Sequence, residues 1–355
     1  MCIDMTTHQP SFFDESDRLA KLSKLRDPLV DLERYINFEM FRERLEAAVS
    51  KPKVSPAGRK PYDVVLMFKI LILQRCYNLS DEQVEYQIND RCSFQRFLGL
   101  HLGSTVPDFT TVWGFREALS KAGAIRALFD AFNSVLEAHG VITKTGTIID
   151  ASFVDVPRQR NSREENKMVK QGEVPAAWKS QPHKLSQKDV DARWAKKNQE
   201  THFGYKNHVK ADADSVIITD YQVTDAAVHD SRPLDELIAA HHKGENLFAD
   251  SAYKSARIDE TLVQLGVQNF VHEKAARNRP LSELQLQLNR IKSQVRCRVE
   301  HIFGHIENSM GGPELEYIGL RRISAGIGLS NLTYNLHRFV QLVKLGQVPP
   351  MPQCA

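Results

Sequence analysis

Three carboxylates in three different sequence settings are the residues of this chain best suited to chemistry. Asp150 interrupts the apolar run 147–154, and Asp250 ends a second apolar run that begins at residue 246. Glu300 lies inside a long helical pattern. The first two settings are typical of β-strands, where a charge in an apolar surface is costly unless it is paired or binds a metal ion.

Carboxylates that converge from such elements form the hard-oxygen type of site that Mg²⁺ and Mn²⁺ prefer. Two such ions can promote displacement at a phosphodiester phosphorus. Asp150, Asp250 and Glu300 are therefore predicted as the catalytic and metal-binding residues of an enzyme that acts on nucleic acid. Structural alternatives remain: Asp150 could cap a turn, Asp250 could cap a helix, and Glu300 could pair with Arg296 one helical turn away.

The charge distribution supports a polyanionic substrate more than the total charge does. The 355 residues have a formal net charge of only +3. Residues 156–210, however, contain 13 Lys and Arg against 6 Asp and Glu, and residues 273–300 contain 7 against 3. Basic tracts beside acidic catalytic candidates suit a nucleic acid. A solvated linker and a charged helix face would give the same counts.

Composition and cysteine usage indicate a cytoplasmic globular protein. The chain is 42% hydrophobic and 26% charged, and its five cysteines form no C-x-x-C pair. We therefore expect a reducing compartment, with no structural zinc. The beginning of the chain lacks the pattern of a signal peptide, and no apolar run is long enough to span a bilayer.

The hydrophobic patterns divide the chain into three regions. Residues 1–55 are predicted as an N-terminal arm and linker, with one helical stretch at 32–49. Residues 56–140 read as several short helices in an all-α domain, where Ser80 opens a capping box and Asp108 is an N-cap. This domain could bind DNA through a helix-turn-helix, or it could only pack on the catalytic core or help the chain to dimerise.

The third region, 141–345, changes character and is predicted as the catalytic domain. Strands are expected at 147–155, 246–249 and 267–271, with a hairpin of 205–211 and 216–224. The basic insert 156–203 is predicted to be irregular, with one helix near 187–197. Further helices are expected at 231–242, 255–265 and 328–345, and one continuous helix at 281–309.

This order of elements predicts an α/β fold, namely a ribonuclease-H-like mixed-sheet catalytic domain preceded by an N-terminal all-α domain. In that fold the first Asp lies within strand one, the second Asp follows strand four, and the last carboxylate lies on the helix after strand five. Asp150, Asp250 and Glu300 occur in this order and in these settings. Agreement in both order and setting is more specific than three acidic residues among 44.

The segments around these acids also resemble a known family. The chain is similar to the DDE transposases of bacterial insertion sequences, in the group named after insertion sequence number five, with a catalytic domain like that of insertion sequence four. The resemblance covers most of residues 60–340. It is carried by the segments PDFTT (107–111), IIDAS (148–152), DARWAKKN (191–198), FGYKNH (203–208), VTDAAVHDS (223–231), ADSAY (249–253) and RVEHIFG (298–304).

The resemblance implies a function and its partners. Such enzymes bind the terminal inverted repeats of their element, hydrolyse the DNA at its ends, and join the freed 3′-hydroxyls to target DNA. Two Mg²⁺ ions are implied as cofactors, with Mn²⁺ as a substitute. The expected partners are double-stranded DNA and a second copy of the chain in a homodimer on DNA. The expected location is the cytoplasm, in association with the nucleoid.

The resemblance also assigns residues to the site. Asp150, Asp250 and Glu300 become the metal-binding triad, and Arg296 matches a family arginine four residues before the glutamate. The chain departs from the family at Ser293, where a tyrosine is common, and at Glu307, where a lysine is common. A glutamate at position 307 would repel a DNA phosphate. The other residues predicted to contact DNA are Tyr205, Lys206, Asn207, His208 and Arg298.

Two alternatives to an active transposase stay open. A decayed copy or a repressor of transposition would bind DNA without cleaving it. A ribonuclease-H-fold nuclease would cleave DNA without joining it. The segment 205–208 could also be an ordinary hairpin strand with no contact to DNA.

Overall fold

The N-terminal half of the protein is helical. The computed structural model describes residues 14–50, 60–101, 103–197, 199–238, 244–275 and 279–351, so residues 1–13 and 51–55 of the predicted N-terminal arm and linker lie outside it. A 3₁₀ turn, Phe38–Phe41, precedes α3. The α-helices of this half are α1 (Asp14–Lys24), α2 (Pro28–Tyr35), α3 (Arg42–Val49), α4 (Val64–Tyr77), α5 (Asp81–Asp90), α6 (Cys92–Leu98), α7 (Phe109–Lys121) and α8 (Ala124–Ala138).

Local sequence signals set several of these helix boundaries. Ser80 and Gln83 form the predicted capping box of α5, and the Asp108 carboxylate accepts from the Thr111 N–H at the start of α7, as predicted. The described part of the predicted arm is helical. Several of its apolar side chains are buried, and Phe41 and Leu45 are fully so. This part of the chain is therefore a component of the core and not an extended arm.

A six-stranded mixed sheet forms the centre of the second half. β1 pairs in parallel with β5 and antiparallel with β3, and β5 pairs in parallel with β6. The long β3 strand is bordered on its other side by β2 and β4, both antiparallel. The strands are β1 (Gly146–Asp155), β2 (Arg193–Lys197), β3 (Glu200–Asp212), β4 (Ile218–Asp225), β5 (Asn246–Ala249) and β6 (Gln268–Asn269).

Helices of the second half cover this sheet. A 3₁₀ turn, Ser251–Tyr253, follows β5, and another, Cys297–Val299, separates α14 from α15. The α-helices are α9 (Arg163–Lys170), α10 (Ala176–Lys179), α11 (Pro182–Ser186), α12 (Leu234–Ile238), α13 (Ala256–Leu265), α14 (Glu283–Arg296), α15 (Glu300–Ser309) and α16 (Leu320–Lys344).

Three predictions about elements were wrong. The segment predicted as a helix near 187–197 contains the edge strand β2, in which Trp194 packs on Phe203 of β3 with the ring centroids 4.9 Å apart. The helix predicted as continuous over 281–309 is divided by the 3₁₀ turn Cys297–Val299. The insert 156–203 is not irregular, because it holds three short helices besides β2. Pairing with the protruding end of β3 outweighs the helical pattern of the β2 segment.

One hydrophobic cluster joins the helical half to the sheet. Helix α16 lies at its centre and packs against α2, α4, α7, α8, α15 and β4. Residues 331–336 of this helix are buried without interruption, which is typical of a helix enclosed on every side. Gly328 permits the closest approach, since a Cβ at this position would lie 2.2 Å from the Tyr221 hydroxyl of β4.

Buried amides fix the register of α16 on its neighbours. The Asn335 side chain donates to Asn133 of α8 at 3.0 Å and to the Ile218 carbonyl of β4 at 2.8 Å. Asn335 also accepts from the Ile218 N–H at 2.9 Å. Because a buried amide without partners costs free energy, these bonds select one alignment of α16. None of the described helices is both long and apolar enough to cross a bilayer.

A partly buried chain of one cysteine and two histidines connects three helices. Cys76 of α4 lies 3.2 Å from Nε2 of His337 on α16, and Nδ1 of His337 lies 3.0 Å from Nε2 of His305 on α15. Burial lowers the pKa of His337 to about 4. Unfolded histidine titrates near pH 6.5, so the unfolded chain binds more protons between these two values.

The protein is therefore expected to lose stability as the pH falls from about 6.5 to 4. His337→Gln keeps a donor and an acceptor but does not titrate. Its free energy of unfolding should therefore fall by roughly 1–3 kcal/mol less than that of the wild type over this pH range. Urea unfolding at a series of pH values measures it. The exposed His101 gives the control His101→Gln, which should keep the wild-type slope. An unchanged slope in His337→Gln would contradict this assignment.

Candidate active site

The parallel pairing of β1 with β5 places two carboxylates side by side. Ile149 is in register with Ala249, so Asp150 and Asp250 follow at adjacent positions. Neighbouring strands lie about 4.8 Å apart, and side chains alternate between the two faces. Ile149 and Ala249 point into a second, smaller hydrophobic cluster, which lies on one face of the sheet. Asp150 and Asp250 therefore project from the opposite face.

Arg296 brings the third carboxylate to the same place. It is the last residue of α14, and Glu300 is the first residue of α15. One guanidinium nitrogen of Arg296 lies 3.2 Å from Oδ2 of Asp150, and another lies 3.5 Å from Oε1 of Glu300. The 3₁₀ turn between the two helices keeps both side chains near the sheet. The buried Nε of Arg296 has no hydrogen-bond partner among the described residues.

The three carboxylates differ in their surroundings. The Asp150 side chain is 23% exposed, against 50% for Asp250 and 67% for Glu300. Burial raises the pKa of Asp150, and the negative charge of Asp250 adds to this effect. The Ala151 N–H, Arg296 and the ammonium group of Lys197 oppose it. The negative charges of Asp150 and Asp250 and the positive charges of Arg296 and Lys197 therefore influence one another in the middle of β1.

The backbone of the following residue holds the Asp250 carboxylate in place. Its carboxylate accepts from the Ser251 N–H at 2.6 Å and caps the 3₁₀ turn that follows β5. Nδ1 of His272 lies 4.0 Å away. The structural role expected for Asp250 as a cap is present, and its carboxylate stays half-exposed.

The donor set suits a hard divalent cation in type, because it consists of three carboxylates of graded exposure. Within the described part of the chain, no three acidic, histidine or cysteine side chains are positioned to hold a metal ion. The cation between Asp150 and Glu300 in this structure is the Arg296 guanidinium. A metal ion shared by these two groups would require that side chain to move.

Comparison with known families identifies the chain. The family described as Transposase DDE domain matches residues 142–336, which contain all three carboxylates. The chain belongs to the DDE transposases. A second family, described as Transposase domain (DUF772), matches residues 17–118 of the helical half.

The fold observed for this DDE transposase is the ribonuclease-H-like mixed sheet that the sequence predicted. A solved structure titled as a piggyBac transposase synaptic complex with hairpin DNA is similar to the chain, with 13% identity and a TM-score of 0.46. It covers 92% of this chain, and the match spans 77% of that chain. DDE transposases are DNA-cleaving and strand-transferring enzymes, and the family normally uses divalent metal ions.

Two residues predicted to contact DNA are buried on the same face of the sheet as Asp150. The Tyr205 hydroxyl donates to Asp189 at 2.7 Å. Asn207 exchanges two hydrogen bonds with Asn331 of α16, at 2.8 and 3.1 Å. Because both side chains are enclosed in these bonds, they hold the insert and α16 to the sheet instead of facing a phosphate.

Two further predicted DNA contacts lie on the opposite face of the sheet. Asp150 is paired with Val209, so the neighbouring side chains at 206 and 208 point away from it. The Lys206 ammonium donates to Asp230 and to the Val228 carbonyl, both at 2.7 Å. His208 is fully buried against Thr224, and burial lowers its pKa to about 4. Neither side chain shares the face of the sheet from which Asp150 projects, so their burial does not support the predicted contact with DNA.

Of two further cations, Arg298 lies at the turn after β3, and Lys197 lies close enough to Asp150 to act on its carboxylate. Arg298 donates to the Ala213 carbonyl at 2.7 Å and lies 3.8 Å from Asp214, both in the turn after β3. Lys197, at the end of β2, was not predicted, although its charge lowers the pKa of Asp150. Its signal is the basic segment 191–198 of the resemblance, most of which falls in the helix predicted near 187–197.

The burial of Lys206 distinguishes a structural role from a DNA contact. Lys206→Met leaves Asp230 and the Val228 carbonyl without their charged donor. We expect the free energy of unfolding to fall by about 2–4 kcal/mol, because a partly buried charge loses its partner. Urea unfolding measures this loss. A stable variant with reduced DNA affinity would instead restore Lys206 as a DNA contact.

Proposed function

We propose that this transposase binds the terminal inverted repeats of an insertion sequence, cleaves the DNA at its ends, and joins the 3′-hydroxyls to target DNA. Asp150, Asp250 and Glu300 are the proposed catalytic residues. The proposal is carried by one observation, the adjacent positions of Asp150 and Asp250 within the segment matched by the transposase family. The motifs quoted above favour the group named after insertion sequence number five.

The same three residues are the proposed ligands of two Mg²⁺ ions, for which Mn²⁺ would substitute. When bound, such ions lower the pKa of an attacking water or 3′-hydroxyl and stabilise the leaving oxygen. Asp150 supplies the anchored carboxylate, because β1 holds it and burial limits its motion. Asp250 and Glu300 supply the two accessible carboxylates.

Arg296 is the proposed partner of a DNA phosphate. In the absence of DNA its guanidinium neutralises Asp150 and Glu300. Cations bound by these carboxylates would take over that role. The guanidinium would then be free for a phosphate, which it can bind through two parallel hydrogen bonds. One side chain would thus keep the carboxylates together before the substrate binds and hold the substrate afterwards.

The edge strand β2 offers a surface for the DNA backbone beside the site. Lys197 lies at its end, and Trp194 is 45% exposed with the Arg158 guanidinium 5.7 Å from its ring centroid. Cations and an exposed aromatic ring on a sheet edge are suited to phosphates and unpaired bases. We propose double-stranded DNA as the partner of this edge, bound by a homodimer in which each copy acts on one end of the element.

The catalytic proposal is tested with a labelled DNA that carries the ends of the element. Asp250→Asn should reduce cleavage and joining in Mg²⁺ by about a thousandfold or more, because it removes a metal-binding charge. End binding, followed by gel shift, should persist. EDTA should abolish both reactions in the wild type. The exposed Glu316 provides the control Glu316→Gln, which should react as the wild type does.

Other outcomes of that experiment identify the alternatives. Binding of the ends without cleavage in any divalent metal would indicate a non-catalytic DNA-binding protein. Cleavage without joining would indicate a nuclease. Cleavage that is unaffected in Asp250→Asn would refute the assignment of the three carboxylates.

The proposed DNA edge predicts a specific effect for Lys197. Lys197→Met should weaken DNA binding about three- to tenfold and reduce the slope of log K against log salt by about one, since one phosphate contact is lost. Fluorescence anisotropy at several salt concentrations measures both values. Lys121→Met, at an exposed lysine on α7, is the matched control. An equal effect of the two substitutions would show that β2 has no special role.

A further inference from the structure

Helix α14 presents its apolar side chains to solvent. Leu284, Leu288 and Ile291 are 65%, 42% and 61% exposed, and Leu286 is 47% exposed. The first three recur at spacings of four and three residues and therefore form one stripe along the helix. We call these three residues the α14 stripe. Such a stripe normally faces the core, so its exposure in a folded protein indicates a surface that another chain covers.

The orientation of α14 is fixed by its polar residues. The Asn289 side chain accepts from the Glu273 N–H at 2.9 Å and donates to the Glu273 carbonyl at 3.1 Å. The Lys292 ammonium donates to the Val271 carbonyl at 2.8 Å. Arg296, one turn later, contacts Asp150. Rotation of the helix to bury the stripe would break all of these bonds, so the stripe cannot turn inward while the carboxylate site stays intact.

We propose that the α14 stripe is a homodimer interface, in which the α14 helix of a second copy lies antiparallel across it. A two-fold axis at the midpoint between residues 287 and 288 places Leu284 of each copy opposite Ile291 of the other. The two Leu288 side chains then lie next to the axis. The stripe is therefore complementary to itself, as a two-fold interface requires.

The charges beside the stripe agree with the antiparallel arrangement. Glu283 lies at the first turn of α14, and Arg290 lies near its other end. About the same axis, Glu283 of one copy comes within about two residues, or about 3 Å along the helix, of Arg290 of the other. Opposite charges would approach at both ends of the pair. An apolar stripe offers neither a hydrogen-bond donor nor a positive charge to a DNA phosphate, so a protein surface is the better partner for it.

The size of the stripe sets the expected strength of the dimer. The three side chains of the stripe expose roughly 300 Å² in each copy, less than half of what a standard interface buries on each partner. Residues beside the stripe would supply the remainder. We therefore expect a dimer with a dissociation constant in the micromolar range, formed without DNA.

The interface would also set the spacing of the two active sites. Arg296 is about eight residues from the axis, or about 13 Å along the helix. The two Arg296 residues would then lie about 25 Å apart along the paired helices. Each active site would be attached to the interface by the same rigid helix.

Sedimentation velocity of the full chain without DNA, from 1 to 100 µM, tests the interface. The wild type should dimerise, and the double substitution Leu288→Glu/Ile291→Glu should raise the dissociation constant at least tenfold because it brings like charges together. The control is Val263→Glu, at a residue of α13 that is 79% exposed, and it should dimerise as the wild type does. A wild type that is monomeric at 100 µM, or a double variant that dimerises normally, would overturn the proposal.

A cross-linking experiment keeps the test valid should the charged variant fold poorly. Gln287 lies next to the proposed axis, whereas Gln294, also exposed on α14, lies about 10 Å from it along the helix. Gln287→Cys should form a disulfide-linked dimer on mild oxidation at a yield well above those of Gln294→Cys and the wild type. Equal yields for the two cysteine variants would exclude the antiparallel arrangement.

Discussion

The parallel pairing of β1 with β5 is the constraint on which the rest of the site depends. It brings the carboxylates of Asp150 and Asp250 to neighbouring positions on one face of the sheet. Two like charges at this spacing, one of them largely buried, are unfavourable unless cations lie close to them. Arg296 meets this need from the junction of α14 and α15. The same guanidinium contacts Glu300, so the side chain that neutralises Asp150 on the strand also holds the Glu300 carboxylate of the helix nearby.

Much of the fold could be predicted because strong local signals agree with tertiary packing. The hairpin of β3 and β4, strand β5 and the caps of α5 and α7 were all predicted from the sequence, and so were the strand settings of Asp150 and Asp250. These segments combine apolar alternation with clear turn or capping residues. The family resemblance then supported the same three acidic residues independently of the strand pattern.

The misassigned residues share a physical cause, which is that sequence patterns do not tell which side of an element is covered. Lys206 and His208 lie close to Asp150 in the sheet but on its other face, because side chains alternate along β3. The apolar residues of α14 have helical spacing, yet hydrogen bonds from polar residues decide which side faces inward. The strand β2 depends on pairing with a distant segment, which a helical pattern in a short window cannot reveal.

The position of α16 in the core has a consequence for the synthesis and the degradation of the protein. This helix packs against four helices of the helical half and against α15 and β4 of the second half, and it is the last helix in the described chain. During synthesis, neither half can complete its core until residues 320–344 have left the ribosome. An element copy with a stop codon ahead of Leu320 would yield unfinished chains with exposed apolar surface. We expect cellular proteases to remove such chains, so that they do not persist as separate DNA-binding fragments.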